Sequence, residues 1–190
     1  MKSTFRSISL LAALLACSSA HAALDGQSFS ASYRIPALDT PFPSASFTPS
    51  SFVVGAGVES LVNVEDLTSI SIDFSDTGLS LVLNTTLAQP TWTTAPFNGL
   101  VFDLTSPGPL GITGASIDAQ TTMIGFDSSR VILDNGRIAI NWNGLSYVDG
   151  TRVVVDFTTA VPEPETYALM LAGLGMVGGL ASWRRKSGRA

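Results

Sequence analysis

The chain has 190 residues, 45% of them hydrophobic and only 13% charged, about half the charge of an average soluble domain. One Cys, one His and ten basic residues argue against a disulfide framework, a Cys/His zinc site and a nucleic-acid-binding surface. The mean hydropathy of +0.34 has a local origin, because the longest apolar runs lie at the two ends.

At the N-terminus, Lys2 and Arg6 precede an apolar run from Ile8 to Ala16, and Ala20-His21-Ala22 places small residues where a signal peptidase reads them. The pattern predicts a signal peptide over 1–22, cleaved before Ala23. Leu14-Leu15-Ala16-Cys17 offers a competing lipobox, but the later Ala-His-Ala site is the cleaner one. The run is too short to span a bilayer. Cleavage before Ala23 removes Cys17 and His21, the chain's one thiol and one imidazole. With them go Cys-His and Ser-His-Asp nucleophilic catalysis, thiol redox chemistry and His-ligated metals.

Residues 23–160 read as one all-β exported domain, expected to be a jelly-roll-like β-sandwich, with a closed barrel as the other closure. Ser28 to Ile35 is the first candidate strand. Pro36 to Ser51, rich in Pro, Ser and Thr, reads as a loop or irregular edge strand. Val53 to Glu65 follows as a candidate. Ile70, Ile72 and Phe74 then alternate with polar residues, Asp76-Thr77-Gly78 turns the chain, and Leu79, Leu81 and Leu83 alternate again. Leu100 to Leu104 and Gly114 to Gln120 come next. Val131 to Asp134 faces Arg137 to Trp142 across Asn135-Gly136, a strong two-residue hairpin signal. Asp149-Gly150 turns into the β-branched run Thr151 to Phe157.

Charge sharpens the reading. Between Ala23 and Ala160 four arginines and no lysine stand against thirteen acidic residues, a net charge of −9. Such a surface repels nucleic acid and anionic lipid. Without Lys this portion has no Lys–Asn isopeptide crosslink, and without Cys it depends on packing.

Candidate chemistry is sparse. Asp76-Thr77-Gly78 matches the aspartic-protease triplet, but one copy of three residues is better explained as a turn. Thirteen acidic residues offer many carboxylate pairs to a glycosidase and no way to choose among them. The Asp-bearing stretches Asp73 to Asp76 and Asp127 to Asp134 lack EF-hand spacing and read as solvated turns before calcium loops. Trp92, Trp142, Tyr33 and Tyr147 form a sugar-stacking surface if they face outward; on an alternating strand Trp142 is expected in the core. No catalytic residue, metal site or cofactor is assigned.

At the C-terminus, Tyr167 to Trp183 carries no charge and is bracketed by Glu163 and Glu165 on one side and Arg184-Arg185-Lys186 on the other. A helix over 167–183 would be about 26 Å long, enough for a thin bilayer. The basic cluster predicts a cytoplasmic tail at 184–190, and therefore an exported domain. Gly175 and Gly179 also form a G-x-x-x-G spacing, weak evidence for helix pairing.

Val161-Pro162-Glu163-Pro164-Glu165-Thr166, the Gly-rich apolar segment and the terminal Arg-Arg-Lys closely resemble the PEP-CTERM sorting domain of exported proteins in Gram-negative bacteria. The resemblance covers 161–190, with a PEP box at 161–166. It implies a transient inner-membrane anchor, processing at or near Pro162-Glu163-Pro164 by an exosortase-type membrane protease, and release toward the cell surface or the extracellular polysaccharide matrix. It implies nothing about the domain before it. The expected function is thus a non-enzymatic surface or matrix protein, associated with exopolysaccharide or biofilm. A carbohydrate-active enzyme using two carboxylates and a calcium-dependent adhesin are the alternatives.

The first expected outcome concerns export. N-terminal sequencing of the exported protein should begin at Ala23, and a lipidated Cys17 would contradict the cleavage assignment.

Overall fold

The computed structural model describes residues 24–134, 136–159, 170, 171 and 173–175. The signal-peptide positions Ala20, Ala22 and Ala23, the box Pro162-Glu163-Pro164 and the cluster Arg184-Arg185-Lys186 lie outside the described residues. Most of the expected 167–183 helix does so too; 170, 171 and 173–175 are helical. Among the described residues no helix is long and apolar enough to cross a membrane.

Residues 24–159 form the body of one compact unit spanning Ala22–Ala160. Its eleven strands are β1 (Ser28–Arg34), β2 (Ala45–Thr48), β3 (Ser51–Val53), β4 (Ser60–Val64), β5 (Thr68–Ser75), β6 (Gly78–Thr85), β7 (Gly99–Leu104), β8 (Ile112–Ile117), β9 (Val131–Asp134), β10 (Arg137–Asn141) and β11 (Thr151–Thr159). They build two antiparallel sheets, one of five strands in the order β3, β1, β7, β10, β9 and one of six in the order β2, β4, β5, β6, β11, β8.

Period-two alternation sets which face each strand buries. On β5, Thr68, Ile70, Ile72 and Phe74 point inward while Ser69, Ser71, Asp73 and Ser75 point outward. Leu79, Leu81 and Leu83 of β6 and Val153, Val155 and Phe157 of β11 continue this layer. The five-stranded sheet answers with Phe29, Tyr33, Leu100, Phe102, Ile138 and Ile140, and the two inner faces merge into one core. Phe74 is wedged between Phe29, stacked at 5.2 Å, and Phe102, edge-on at 5.1 Å. The all-β sandwich expectation holds at this level.

The connections differ from a jelly roll, which alternates strands between its sheets. Here β4, β5 and β6 pair consecutively as a meander within one sheet. Val53 to Glu65 is two strands, since Ser51–Val53 pairs with β1 and Ser60–Val64 with β5. Between them the chain crosses sheets through Gly55-Ala56-Gly57, with Gly57 at φ +89°. Pro36 to Ser51 does contain an edge strand, β2. The β8 ladder ends at Ile117 rather than Gln120 because the Asp118 carboxylate turns back to accept the Gln120 N–H at 2.7 Å.

The outer face of the five-stranded sheet is also partly apolar. Val101 and Ala139 point away from the main core yet are fully buried, packed with Phe97, Leu38 and Ile132. Two loop segments make this cover, tied by the Phe97 N–H donating to the Pro36 carbonyl at 2.9 Å.

Two glycines have separate reasons. Gly136 sits at φ +79° in the two-residue loop closed by the Asp134–Arg137 pair; Asn135 lies outside the described residues. At Gly99 a Cβ would run into the backbone carbonyl oxygen of Ile140. Gly99→Ala should therefore cost more than about 3 kcal/mol. Gly136→Val should cost about 1–2 kcal/mol and Gly136→Asn less. Urea denaturation of the three variants tests this ranking, and a Gly99→Ala protein as stable as the parent would refute the close approach.

Candidate functional site

The four aromatic residues weighed as a sugar-stacking surface are buried. Trp142 and Tyr33 are 0% and 3% exposed, and Trp92 and Tyr147 are 8% and 6% exposed. They spend their faces on one another: Trp92 stacks on Tyr147 at 4.6 Å and on Trp142 at 5.3 Å. Tyr33 tilts against both tryptophans. The outward-facing alternative is thereby corrected, and the physical reason is the size of the apolar area these rings remove from water.

A polar chain runs through this cluster. Trp142 Nε1 donates to Tyr33 Oη at 2.9 Å, and Tyr33 Oη donates to Asn98 Oδ1 at 2.6 Å. Asn98 Nδ2 in turn donates to the Thr93 carbonyl at 2.9 Å. Burial pushes the Tyr33 hydroxyl far above the ordinary tyrosine range, against the opposing pull of the Trp142 hydrogen bond. Tyr147 is raised by burial as well, with its hydroxyl 2.7 Å from Thr68 Oγ1. The Trp142–Tyr33–Asn98 chain locks the ends of β10, β1 and β7 together within the five-stranded sheet, and Tyr147 reaches the facing sheet at Thr68 of β5. Trp92 Nε1 is the buried side-chain polar atom left without a partner among the described residues.

The two Asp-bearing stretches occupy different settings. Asp73 lies on the outward face of β5 and Asp76 at the exposed β5–β6 turn. That turn is the Asp-Thr-Gly triplet. Its Gly78 already belongs to β6, where a Cβ would approach the Val155 carbonyl oxygen to 2.9 Å. Asp127 caps a 3-10 turn at Ser128–Arg130, accepting from the Ser129 N–H at 2.9 Å and from the Ser129 hydroxyl. Those two bonds hold its carboxyl below the usual range. The capping contribution is present above the unfolded-state value and is lost as pH falls through the folded one. Among the described residues no group of three or more His, Cys, Asp or Glu side chains is placed to hold a metal ion.

Three of the domain's arginines have structural partners. Arg34 and Arg137 both reach Asp103, at 2.9 and 2.6 Å, on the outer face of the five-stranded sheet. Arg130 donates to the carbonyls of Gly125, Asn141 and Asn143. Sequence inspection missed Asp103 and Asn98 because their partners lie far away in the chain; only strand pairing brings them together.

A different surface feature lies at the edge of the domain. At one end of the six-stranded sheet, a concavity of about 370 Å³ is bordered by Asn63, Asp66, Leu67, Ser69, Asn84 and Asp149, with Thr68, Thr85 and Thr86 beside them. Asn63, Ser69 and Asn84 are register partners across β4, β5 and β6. Asp66 is held over the row by the β4–β5 turn, where Glu65 and Asp66 have φ of 55° and 57°. Alternation alone places Asn63 and Asn84 on the outward face; the turn that adds Asp66 leaves no sequence signal, since Glu-Asp is an unusual pair for two positive φ angles.

Behind β11 the described domain ends at Thr159, and residues 160–186 match the family model of the PEP-CTERM protein-sorting motif. The C-terminal segment carries a PEP-CTERM sorting motif. It implies an exported protein handled by an exosortase, and it begins where the last strand stops. Neither a curated protein nor a solved structure matches the chain.

The Tyr33 lock has a measurable strength. Tyr33→Phe leaves Trp142 Nε1 and Asn98 Oδ1 without their buried partner and should cost about 2–4 kcal/mol. Tyr147→Phe removes one hydrogen bond and leaves Thr68 Oγ1 still bonded to Thr85 Oγ1, so it should cost about 1 kcal/mol. Equal losses in chemical denaturation would contradict the assigned lock.

Proposed function

We propose that this chain is a sorted, non-enzymatic protein of the cell surface or extracellular matrix. In this reading 1–22 direct export and 167–183 hold the precursor in the inner membrane, while Arg184-Arg185-Lys186 keep the tail cytoplasmic. An exosortase cuts at or near Pro162-Glu163-Pro164, and the β-sandwich passes to the surface and its polysaccharide. The observation that carries the proposal is the sorting-motif match at 160–186.

The chemistry of the box supports it. Prolines on both sides of Glu163 fix their own φ and bias the preceding residues toward extended backbone. An extended segment is what a protease active site accepts. The acidic, lysine-free domain supports it from the other side. Its −9 charge disfavours anionic lipid and nucleic acid and leaves neutral polymer as a compatible neighbour.

A carbohydrate-active enzyme is the second reading, favoured by one observation: Asp66 and Asp149 border the same concavity. Each of these carboxylates already has an oxygen engaged. Asp66 Oδ1 accepts from Asn63 Nδ2 at 2.9 Å and Asp149 Oδ1 from the Thr85 N–H at 3.0 Å. That use in holding the turn and strand end favours the non-enzymatic role.

Two variants of the full chain test the sorting account. Replacing Pro162, Glu163 and Pro164 with alanine should leave the protein exported but retained, uncut, in the inner membrane. Replacing Arg184, Arg185 and Lys186 with neutral residues removes the charge that stops translocation of a short, Gly-rich helix. More of that protein should pass the membrane with its hydrophobic C-terminus intact. Cell fractionation with mass analysis of the C-terminal peptides reads both, and identical behaviour of the two variants would reduce the tag to a plain anchor.

A further inference from the structure

We propose that the concavity at the β4–β5–β6 end of the six-stranded sheet is a binding site for a neutral saccharide, such as a segment of an uncharged matrix polysaccharide. This inference rests on the export and matrix reading and supplies the recognition site that reading lacks.

The floor is the row Asn63, Ser69, Asn84, one residue from each of three adjacent strands. With strands about 4.8 Å apart, the outer two are separated by about 10 Å, the reach of a disaccharide. Asn and Ser are poor strand formers. Asn63 serves the fold by donating to Asp66, but Ser69 and Asn84 are exposed, and among the described residues the Asn84 amide makes no hydrogen bond. A local rule broken without structural gain is the signature of a site with another duty.

The walls are complementary to a polyol. Asp66 and Asp149 each have one oxygen held by the fold, at 2.9 Å by Asn63 Nδ2 and at 3.0 Å by the Thr85 N–H. Their second oxygens remain as fixed acceptors. Amides donate and accept, hydroxyls do both and carboxylates only accept, which matches sugar hydroxyls that each give one hydrogen and take others. Leu67, 45% exposed at the rim, offers an apolar patch to the C–H face of a ring.

Charge narrows the ligand. Two carboxylates at the site and a domain charge of −9 repel uronic acids, sulfated glycans and phosphates. A calcium ion fits less well. Two carboxylates, each with one oxygen already engaged, fall short of the six to eight oxygen ligands calcium takes. The concavity has a single large apolar residue in its lining, which disfavours lipid or an aromatic ligand.

The test uses the full chain, purified in detergent micelles and titrated with three neutral probes, maltohexaose, cellohexaose and mannohexaose, and with hexagalacturonate as the acidic comparison. At least one neutral hexasaccharide should bind saturably and the acidic one should not. The double variant Asn84→Ala/Ser69→Ala should weaken that binding about tenfold or more. Thr158→Ala, on the same sheet in a distant row, should leave it unchanged. Thermal unfolding of both variants checks that the domain is intact, and because both altered residues are exposed, their melting temperatures should stay near the parent's. The proposal is overturned if no neutral probe binds, if the double variant binds like the parent, or if binding disappears on adding chelator, which would make the site a cation site. In cells, a double variant that is still sorted and still retained in the matrix would overturn this site while leaving the broader reading standing. Failure of the parent chain to be sorted would strike the broader reading instead.

Discussion

The structure depends on contact between the inner faces of two sheets, and Phe74 is its centre. It stands between Phe29 and Phe102, which belong to the opposite sheet, and Phe52 from the edge strand β3 closes the group at 5.8 Å. Neither sheet has another way to hide its apolar side. Between Ala23 and Ala160 there is no cysteine to staple the layers and no lysine to crosslink them. The two inner faces must therefore be made of large side chains in mutual contact, and they are: among the described residues Ile70, Ile72, Leu79, Leu81, Leu83, Leu100 and Ile138 are fully or almost fully buried. Hydrophobic burial of this kind is non-directional. Directional contacts add to it at one end of the core: the Trp142–Tyr33–Asn98 hydrogen-bond chain ties the ends of β10, β1 and β7 within the five-stranded sheet, and the Tyr147 hydroxyl, 2.7 Å from Thr68 Oγ1, reaches β5 of the facing sheet.

What the sequence made legible follows from the range over which its signals act. The β5–β6 and β9–β10 hairpins were readable because their strands alternate strictly and their partners are immediate neighbours in the chain. Strand β11 was readable from its β-branched run. The split of 51–64 between two sheets was not, since the residue pattern says nothing about which sheet receives each half, and the chain changes sheets through a turn at Gly57, φ +89°. Val101 and Ala139 show the same limit. They sit on a nominally outer face and are buried only because distant loop residues Leu38 and Phe97 fold over them. The jelly-roll expectation failed at the level of strand order, which is decided by long-range pairing and leaves no local trace.

The functional residues divide along the same line. The sorting motif is a contiguous signal and is legible in full, because its recognition depends on a box, an apolar run and a basic tail in order along the chain. The proposed saccharide site is a concavity assembled from three strands, a left-handed turn and the Asp149 loop. The aromatic residues that stood out in the sequence turned out to be core, and inconspicuous Asn and Ser residues turned out to face the open concavity. In a domain whose large rings are needed for its own stability, the open surface is left to small polar side chains.

The central claim is that the two sheets are held as one cooperative unit by the Phe29–Phe74–Phe102 contact. Native-state hydrogen exchange on the full chain, followed through increasing denaturant, tests it most directly. Amides of β1, β7 and β10 in one sheet and of β5, β6 and β11 in the other should converge on a single global opening free energy, while the exposed edges of β2 and β3 open more easily. If the amides of one sheet exchanged through a sub-global opening that left the other sheet protected, the layers would be separately stable and the account of the core would be wrong.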